Sequence, residues 1–187
     1  MISKKVREKL IEKNLKHNRI LNLLNCLLEN PTQSMSKIAE KIGIHRRTVW
    51  EIQKNLEKEN TIWGYTTVVD EQKINRVIYI IQFKTKPFTK EFADLIIKRL
   101  TEKIPKKLGV RIIDICFMHG EYDVYIKFSA PNHEIARDYY ENLRSTYKDH
   151  FNETQQVSDV NFYLVLGGKL NPELKQKLYD FIPKTQF

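Results

Sequence analysis

The chain has 187 residues, 41% of them hydrophobic, and a formal net charge of +9. That length holds one large or two small domains with a packed core. No apolar run approaches the ~20 residues of a membrane-spanning helix, and no signal-peptide segment opens the chain. Two cysteines in apolar surroundings, Cys26 and Cys116, read as buried reduced thiols and not as a disulfide or metal site. A cytoplasmic protein with no membrane partner is the expectation. The basic excess sits at the ends: residues 1–16 hold six Lys/Arg against two Glu, and 168–187 hold four Lys against two acids. Such tails fit either a polyanion partner or ordinary solubilising charge.

In chain order, residues 1–16 read as an amphipathic basic helix. Lys5, Lys9, Lys13 and Lys16 fall on one side, and Ile2, Val6 and Leu10 on another. Residues 17–70 read as three short helices and a β-hairpin wing. Leu21, Leu24, Leu27 and Leu28 stripe the first helix, which Asn30-Pro31 ends. Ser34 is an N-cap for the second, whose inner face is Ile38, Ala39 and Ile42. Gly43 marks the break, where a residue without Cβ tolerates left-handed backbone. Val49, Ile52 and Leu56 mark the inner face of the third helix, and Asn60 is its left-handed C-cap. This is the frame that lays a helix in the DNA major groove, unless it survives as a scaffold alone.

Residues 71–76, EQKINR, read as a hinge. Beyond them 77–85 reads as a strand, 88–104 as a helix and 110–118 as a strand. Then come its hairpin partner 122–129, a helix over 132–151, and a fourth strand, VNFYLVL, over 160–166. The order βαββαβ predicts an α+β domain over 77–167, a four-stranded antiparallel sheet with two helices on one face. Residues 168–187 add a helical extension. In 110–118 both alternating faces are apolar, so the face away from the helices needs cover. Either a second copy supplies it, giving a two-fold dimer, or the C-terminal helix does so within one chain.

Four anchors, ILNLLNCLLEN (20–30), SKIAEKIGI (36–44), LEKENTIWGYTTVVD (56–70) and GEYDVYIKF (120–128), together resemble the Lrp/AsnC (feast/famine) transcription regulators. The resemblance implies a winged helix-turn-helix domain followed by a ferredoxin-like domain of the RAM type. It implies a homodimer that builds tetramers or octamers and binds double-stranded operator DNA. It also implies a possible amino-acid or other small-molecule effector held at contacts between dimers. His45 departs from it by standing where a Ser/Thr cap is usual. Ile52 and Gln53 stand where a basic residue followed by an aliphatic one is frequent, and Asn60 replaces a common glycine.

Opposite the inner stripe, the third helix presents the candidate DNA-contacting residues Arg46, Arg47, Thr48, Trp50, Glu51, Lys54 and Lys58. An arginine in the first turn can donate two hydrogen bonds to guanine. Arg47 is the first candidate and Arg46 the second. Trp50 meets a thymine methyl or sugar, or packs on the core or wing. Glu51 accepts from cytosine or orients an arginine. Lys54 and Lys58 suit phosphates. Trp63 and Tyr65 belong to the wing and are expected to pack on the helices. The candidate effector residues are Met118, His119, Gly120, Tyr122 and Asp123, where a carboxylate could meet a ligand ammonium or simply sit solvated in a turn.

No metal-ligand spacing, nucleophile elbow or phosphate loop appears among the histidines, cysteines and glycines, so no cofactor and no enzyme activity are expected. Two alternatives stand beside the regulator. One is an enzyme resembling sirohaem decarboxylases on the same two-domain scaffold, although Ile62-Trp63-Gly64-Tyr65-Thr66 follows the regulator pattern. The other is an architectural protein that coats DNA with little specificity.

Overall fold

The structure, a computed structural model, describes residues 4–182, with side chains for 13–152 and 155–182. The chain divides into two compact units, 1–67 and 68–187.

The first unit holds three helices: α1 (Lys4–Glu29), α2 (Met35–Ile42) and α3 (Arg46–Lys58). The basic segment and the first core helix are one continuous helix. Lys13 and Lys16 are exposed on it, while the faces read for residues 2–10 lie outside the described side chains. The core joins Leu23, Cys26 and Leu27 of α1 to Ile38 and Ala39 of α2 and to Val49 and Leu56 of α3. Burying such side chains is worth ~1.5–3 kcal/mol each. The inward stripe of α1 is therefore Ile20, Leu23, Leu24, Cys26 and Leu27. Leu21 and Leu28, expected on it, are 44% and 73% exposed. Leucines occupy most of the circumference there, so their spacing alone did not select the inward face; the neighbouring helices did.

The expected β-hairpin wing is not formed. Residues 62–70 pair with no strand. A two-stranded hairpin alone is marginal in water, and the described residues of this unit offer no sheet to extend. Trp63, expected to pack, is 94% exposed.

The second unit opens with a 3-10 turn, Glu71–Ile74, over the segment read as a hinge. The strands β1 (Val77–Thr85), β2 (Arg111–Phe117), β3 (Val124–Ala130) and β4 (Phe151–Asp159) form an antiparallel sheet in the order β2-β3-β1-β4. Helix α4 (Lys90–Thr101) and the single turn α5 (Ile104–Lys107) join β1 to β2, and α6 (His133–Tyr147) joins β3 to β4. This is the expected βαββαβ, ferredoxin-like arrangement. Ile81, Phe83, Ile126 and Phe128 of the sheet meet Phe92 of α4 and Tyr139 and Leu143 of α6 in one core.

Two expectations change here. The fourth strand is Phe151–Asp159, not 160–166. It begins soon after α6 and pairs with β1 from Tyr79↔Asp159 to Phe83↔Gln155. An edge strand tolerates such polar residues. After the Val160 amide donates to the Ile78 carbonyl (2.9 Å), the apolar stretch leaves the ladder. It lays the Tyr163 ring over Lys127, whose Nζ is 4.4 Å from the centroid.

The second change is in β2. A bulge falls between Ile112 and Asp114, which pair with Phe128 and Lys127. One extra residue reverses the alternation. Ile112 and Ile115 both join the helix-covered core, and Asp114 and Cys116 turn to the other side. That face is polar at β2, and Cys116, expected buried, is exposed. The apolar second face that called for a partner is absent from this strand.

The chain continues into a small hairpin, β5 (Val165–Leu166) and β6 (Lys169–Leu170), then α7 (Leu174–Asp180). Gly167 and Gly168 make its turn with φ of +54° and +74°. Two successive left-handed residues are what a two-residue type I′ turn requires. Residues 183–187 of the expected C-terminal extension lie outside the described residues. Among those described, no helix is long and apolar enough to cross a membrane.

Candidate nucleic-acid interface

Local sequence sets the angle between α2 and α3. The Ser34 hydroxyl accepts from the Lys37 amide at 3.4 Å and opens α2. Gly43 ends it at φ +69°, and the Ile44 amide donates to the Ala39 carbonyl at 3.1 Å. A side chain at Gly43 would strain this left-handed cap. His45 opens α3 with extended backbone but makes no side-chain cap bond. A Ser, Thr, Asp or Asn there would add about 1 kcal/mol. Asn60 closes α3 at φ +55°, as its type predicts.

With Val49 fully buried and Leu56 6% exposed, the opposite face of α3 is held toward solvent. Arg46, Arg47, Trp50, Glu51, Lys54 and Lys58 are all exposed, and Thr48 is partly covered. Arg47 Nε donates to Glu51 Oε1 at 2.9 Å, and Lys54 Nζ to Glu57 Oε2 at 2.7 Å. Trp50 is half exposed, so its ring presents an apolar surface beside these cations.

One cluster escaped the sequence reading. Gln53 is 8% exposed and donates to the Tyr65 hydroxyl at 2.6 Å and to Glu57 at 3.2 Å. The Tyr65 hydroxyl in turn donates to Glu57 at 3.0 Å. Hydrogen bonds from Lys54, Gln53 and Tyr65 hold the Glu57 carboxyl below its ordinary range. This knot ties the irregular segment after α3 to the helix and positions Lys54. The spacing Gln53, Glu57 on one helix face was the only sequence signal for it.

In the second unit, Met118, His119, Gly120, Tyr122 and Asp123 lie together at the β2–β3 turn. Asp123 is committed within the chain. Its Oδ1 accepts from Lys84 Nζ at 2.9 Å, and its Oδ2 accepts from the Thr85 amide and hydroxyl at 2.9 and 3.1 Å. The Lys84 ammonium and the Thr85 amide hold its carboxyl below the usual carboxylate value. The side chain bolts the turn to the end of β1. Among the described residues no group of His, Cys, Asp and Glu is arranged to hold a metal ion.

Residues 17–62 match the family model described as winged helix-turn-helix DNA-binding. No curated protein matches the sequence. Among solved structures, the chain is similar to an AsnC family transcriptional regulator from Agrobacterium tumefaciens, with 17% identity and a TM-score of 0.59, covering 82% of this chain and 95% of that one. It is similar to the leucine response regulatory protein LrpA of Mycobacterium tuberculosis, with 14% identity and a TM-score of 0.61, covering 82% and 97%. A transcriptional regulator of Neisseria meningitidis solved with L-Met is similar at 14% identity and a TM-score of 0.58, covering 78% and 90%. The chain has the Lrp/AsnC two-domain fold. Each of these regulators is covered almost in full, so both units of the Lrp/AsnC fold are present. Part of this chain has no counterpart in them.

Proposed function

We propose that this protein is a sequence-specific DNA-binding transcriptional regulator of the Lrp/AsnC type, acting in the cytoplasm as a homodimer or larger assembly, and not an enzyme. One observation carries the reading: α3 buries Val49 and Leu56 and turns Arg46, Arg47, Trp50, Lys54 and Lys58 outward together. Arg47 and Arg46 then reach base edges from the first turn, Thr48, Trp50 and Glu51 line the groove, and Lys54 and Lys58 meet phosphates. One such helix reads few base pairs. A symmetric pair doubles the site and sets the half-sites about one helical turn, ~34–36 Å, or a multiple of it apart.

The β2–β3 turn, with Met118, His119, Gly120, Tyr122 and Asp123, is the proposed effector site. An amino acid is its ligand class, as L-Met is bound in the similar regulator from Neisseria meningitidis. A ligand ammonium at Asp123 competes with Lys84 for Oδ1, so binding there loosens the turn from β1.

The test is footprinting on selected genomic fragments together with the mass of the free protein in solution. Discrete protection that Arg47→Ala weakens, from a protein of at least dimer mass, is the expected result. Continuous protection independent of sequence would favour a DNA-coating protein, and a monomer that ignores duplex DNA would end the reading.

A further inference from the structure

We propose that the cleft between the end of α4 and the start of β2 binds an organic phosphate, with the anion on four basic side chains and an uncharged body on an apolar floor. The cleft is open to solvent and has a volume of about 530 Å³, within the range of roughly 300–1,000 Å³ typical of small-molecule sites. Arg76, Lys103, Lys106 and Arg111 line it. They come from four places in the chain: the segment before β1, the α4–α5 turn, α5 and the first residue of β2.

Two of these cations are fixed in place. Arg76 donates to the Ser129 hydroxyl at 3.1 Å, to the Ser129 carbonyl at 2.9 Å and to the Gly109 carbonyl at 3.3 Å. Behind it Glu71 is only 2% exposed, and its carboxylate lies against the guanidinium groups of both Arg76 and Arg111. That single buried acid orients both arginines, and with Nε and Nη2 committed to Ser129 and Gly109, Arg76 offers Nη1 to an anion as a charge-assisted donor. The other two cations are unspent. Among the described residues the ammonium groups of Lys103 and Lys106 have no partner.

Backbone conformation points the same way. Lys103 has φ +55° and Gly109 φ +77°, and they bracket α5. A left-handed lysine costs ~1–2 kcal/mol that glycine avoids. Buried Pro105 pins the turn between them. The chain thus holds a strained lysine at the mouth of a basic cleft, and such strain gathers at ligand sites. Leu100, Pro105 and Ile112 supply the floor. One carboxylate against four cations selects an anion of more than one charge, and the apolar floor selects an organic one over inorganic phosphate.

Calorimetric titration of the full chain with phenyl phosphate and with inorganic phosphate tests this, independently of any DNA activity. The expected result is one site per chain, with phenyl phosphate held about tenfold tighter than inorganic phosphate, a difference of ~1.4 kcal/mol. The double variant Lys103→Asn, Lys106→Gln should weaken phenyl phosphate about tenfold or more and leave the thermal midpoint in place, because asparagine tolerates left-handed backbone. Leu100→Gln should bring phenyl phosphate down to the inorganic level. Absence of saturable binding, or binding that the double variant leaves unchanged, would overturn the proposal. So would a double variant that weakens duplex DNA when neither phosphate binds, which would make the cleft a backbone-contact patch.

Discussion

Arg47 and Glu51 form an ion pair one turn apart on the solvent face of α3, with Nε 2.9 Å from Oε1 and the arginine side chain 89% exposed. The pair presets Arg47 along the helix surface. Because exposed pairs are worth ~0–1 kcal/mol, DNA can recruit the guanidinium at little cost. Arg47→Ala should therefore weaken operator binding and relax specificity at one base pair by ~1–3 kcal/mol. Glu51→Gln should raise affinity for scrambled duplex, by removing a like-charged group from the phosphate surface, and narrow the preference for operator, because Arg47 loses its preset position. Titrations at fixed salt against operator and scrambled duplexes check both outcomes.

Lys54 behaves differently. Its ammonium bonds to Glu57 and points to the side of α3, away from the first turn. As a phosphate contact it neutralises charge without reading bases. Lys54→Ala should weaken every sequence equally and reduce the slope of log affinity against log salt by about 1. A salt series on operator and non-operator DNA separates this from a specificity effect.

Tyr65 links the segment after α3 to the helix through Gln53 and Glu57. Tyr65→Phe keeps the ring and removes both bonds, so stability should fall by about 0.5–1.5 kcal/mol. Gln53 remains buried with one partner lost, which makes Gln53→Leu in the Tyr65→Phe background the informative rescue. Recovery of the thermal midpoint in the double variant would identify the stranded amide as the source of the loss.

The sequence made helices and their caps legible where the cause is local. Ser34, Gly43 and Asn60 act as their residue types dictate. The outward set on α3 followed from the Val49, Ile52 and Leu56 stripe in the same way. What stayed illegible depends on distant partners. The bulge at Ile113 is set by β2 pairing with β3, and it moves Cys116 to the opposite face from the one its alternation suggests. The fourth strand is polar because it lies at an edge, while the apolar VNFYLVL stretch leaves the ladder and places Tyr163 over Lys127. Asp123 reads as a ligand-facing carboxylate or a solvated turn residue until Lys84 and Thr85, far away in sequence, are brought beside it.

Gly167 is required by both angle and space. Its φ is +54°, and a Cβ there would lie 2.6 Å from Val68 Cγ2. Gly167→Ala should destabilise the β5–β6 hairpin by ~1–2 kcal/mol from backbone strain alone, with the clash added. Val68→Ala in the same chain should recover the clash and leave the strain. Hydrogen exchange at the Leu166 and Lys169 amides would report the two contributions separately.

Asp123 predicts an acid response with a definite sign. Its folded carboxyl lies below the ordinary value of 3.8, because Lys84 and the Thr85 amide favour the charged form. The contribution is therefore complete above that value and disappears as pH falls through the lower folded one. Asp123→Asn should lower the midpoint of thermal unfolding at neutral pH and flatten its decline below about pH 4. Lys84→Met should do the same only in part, since the Thr85 amide still donates to the carboxylate. If ligand entry does displace Lys84, an amino acid that binds at the turn should narrow the gap between Lys84→Met and the parent protein. Melting curves from pH 2.5 to 7, with and without the amino acid, measure both effects in one experiment.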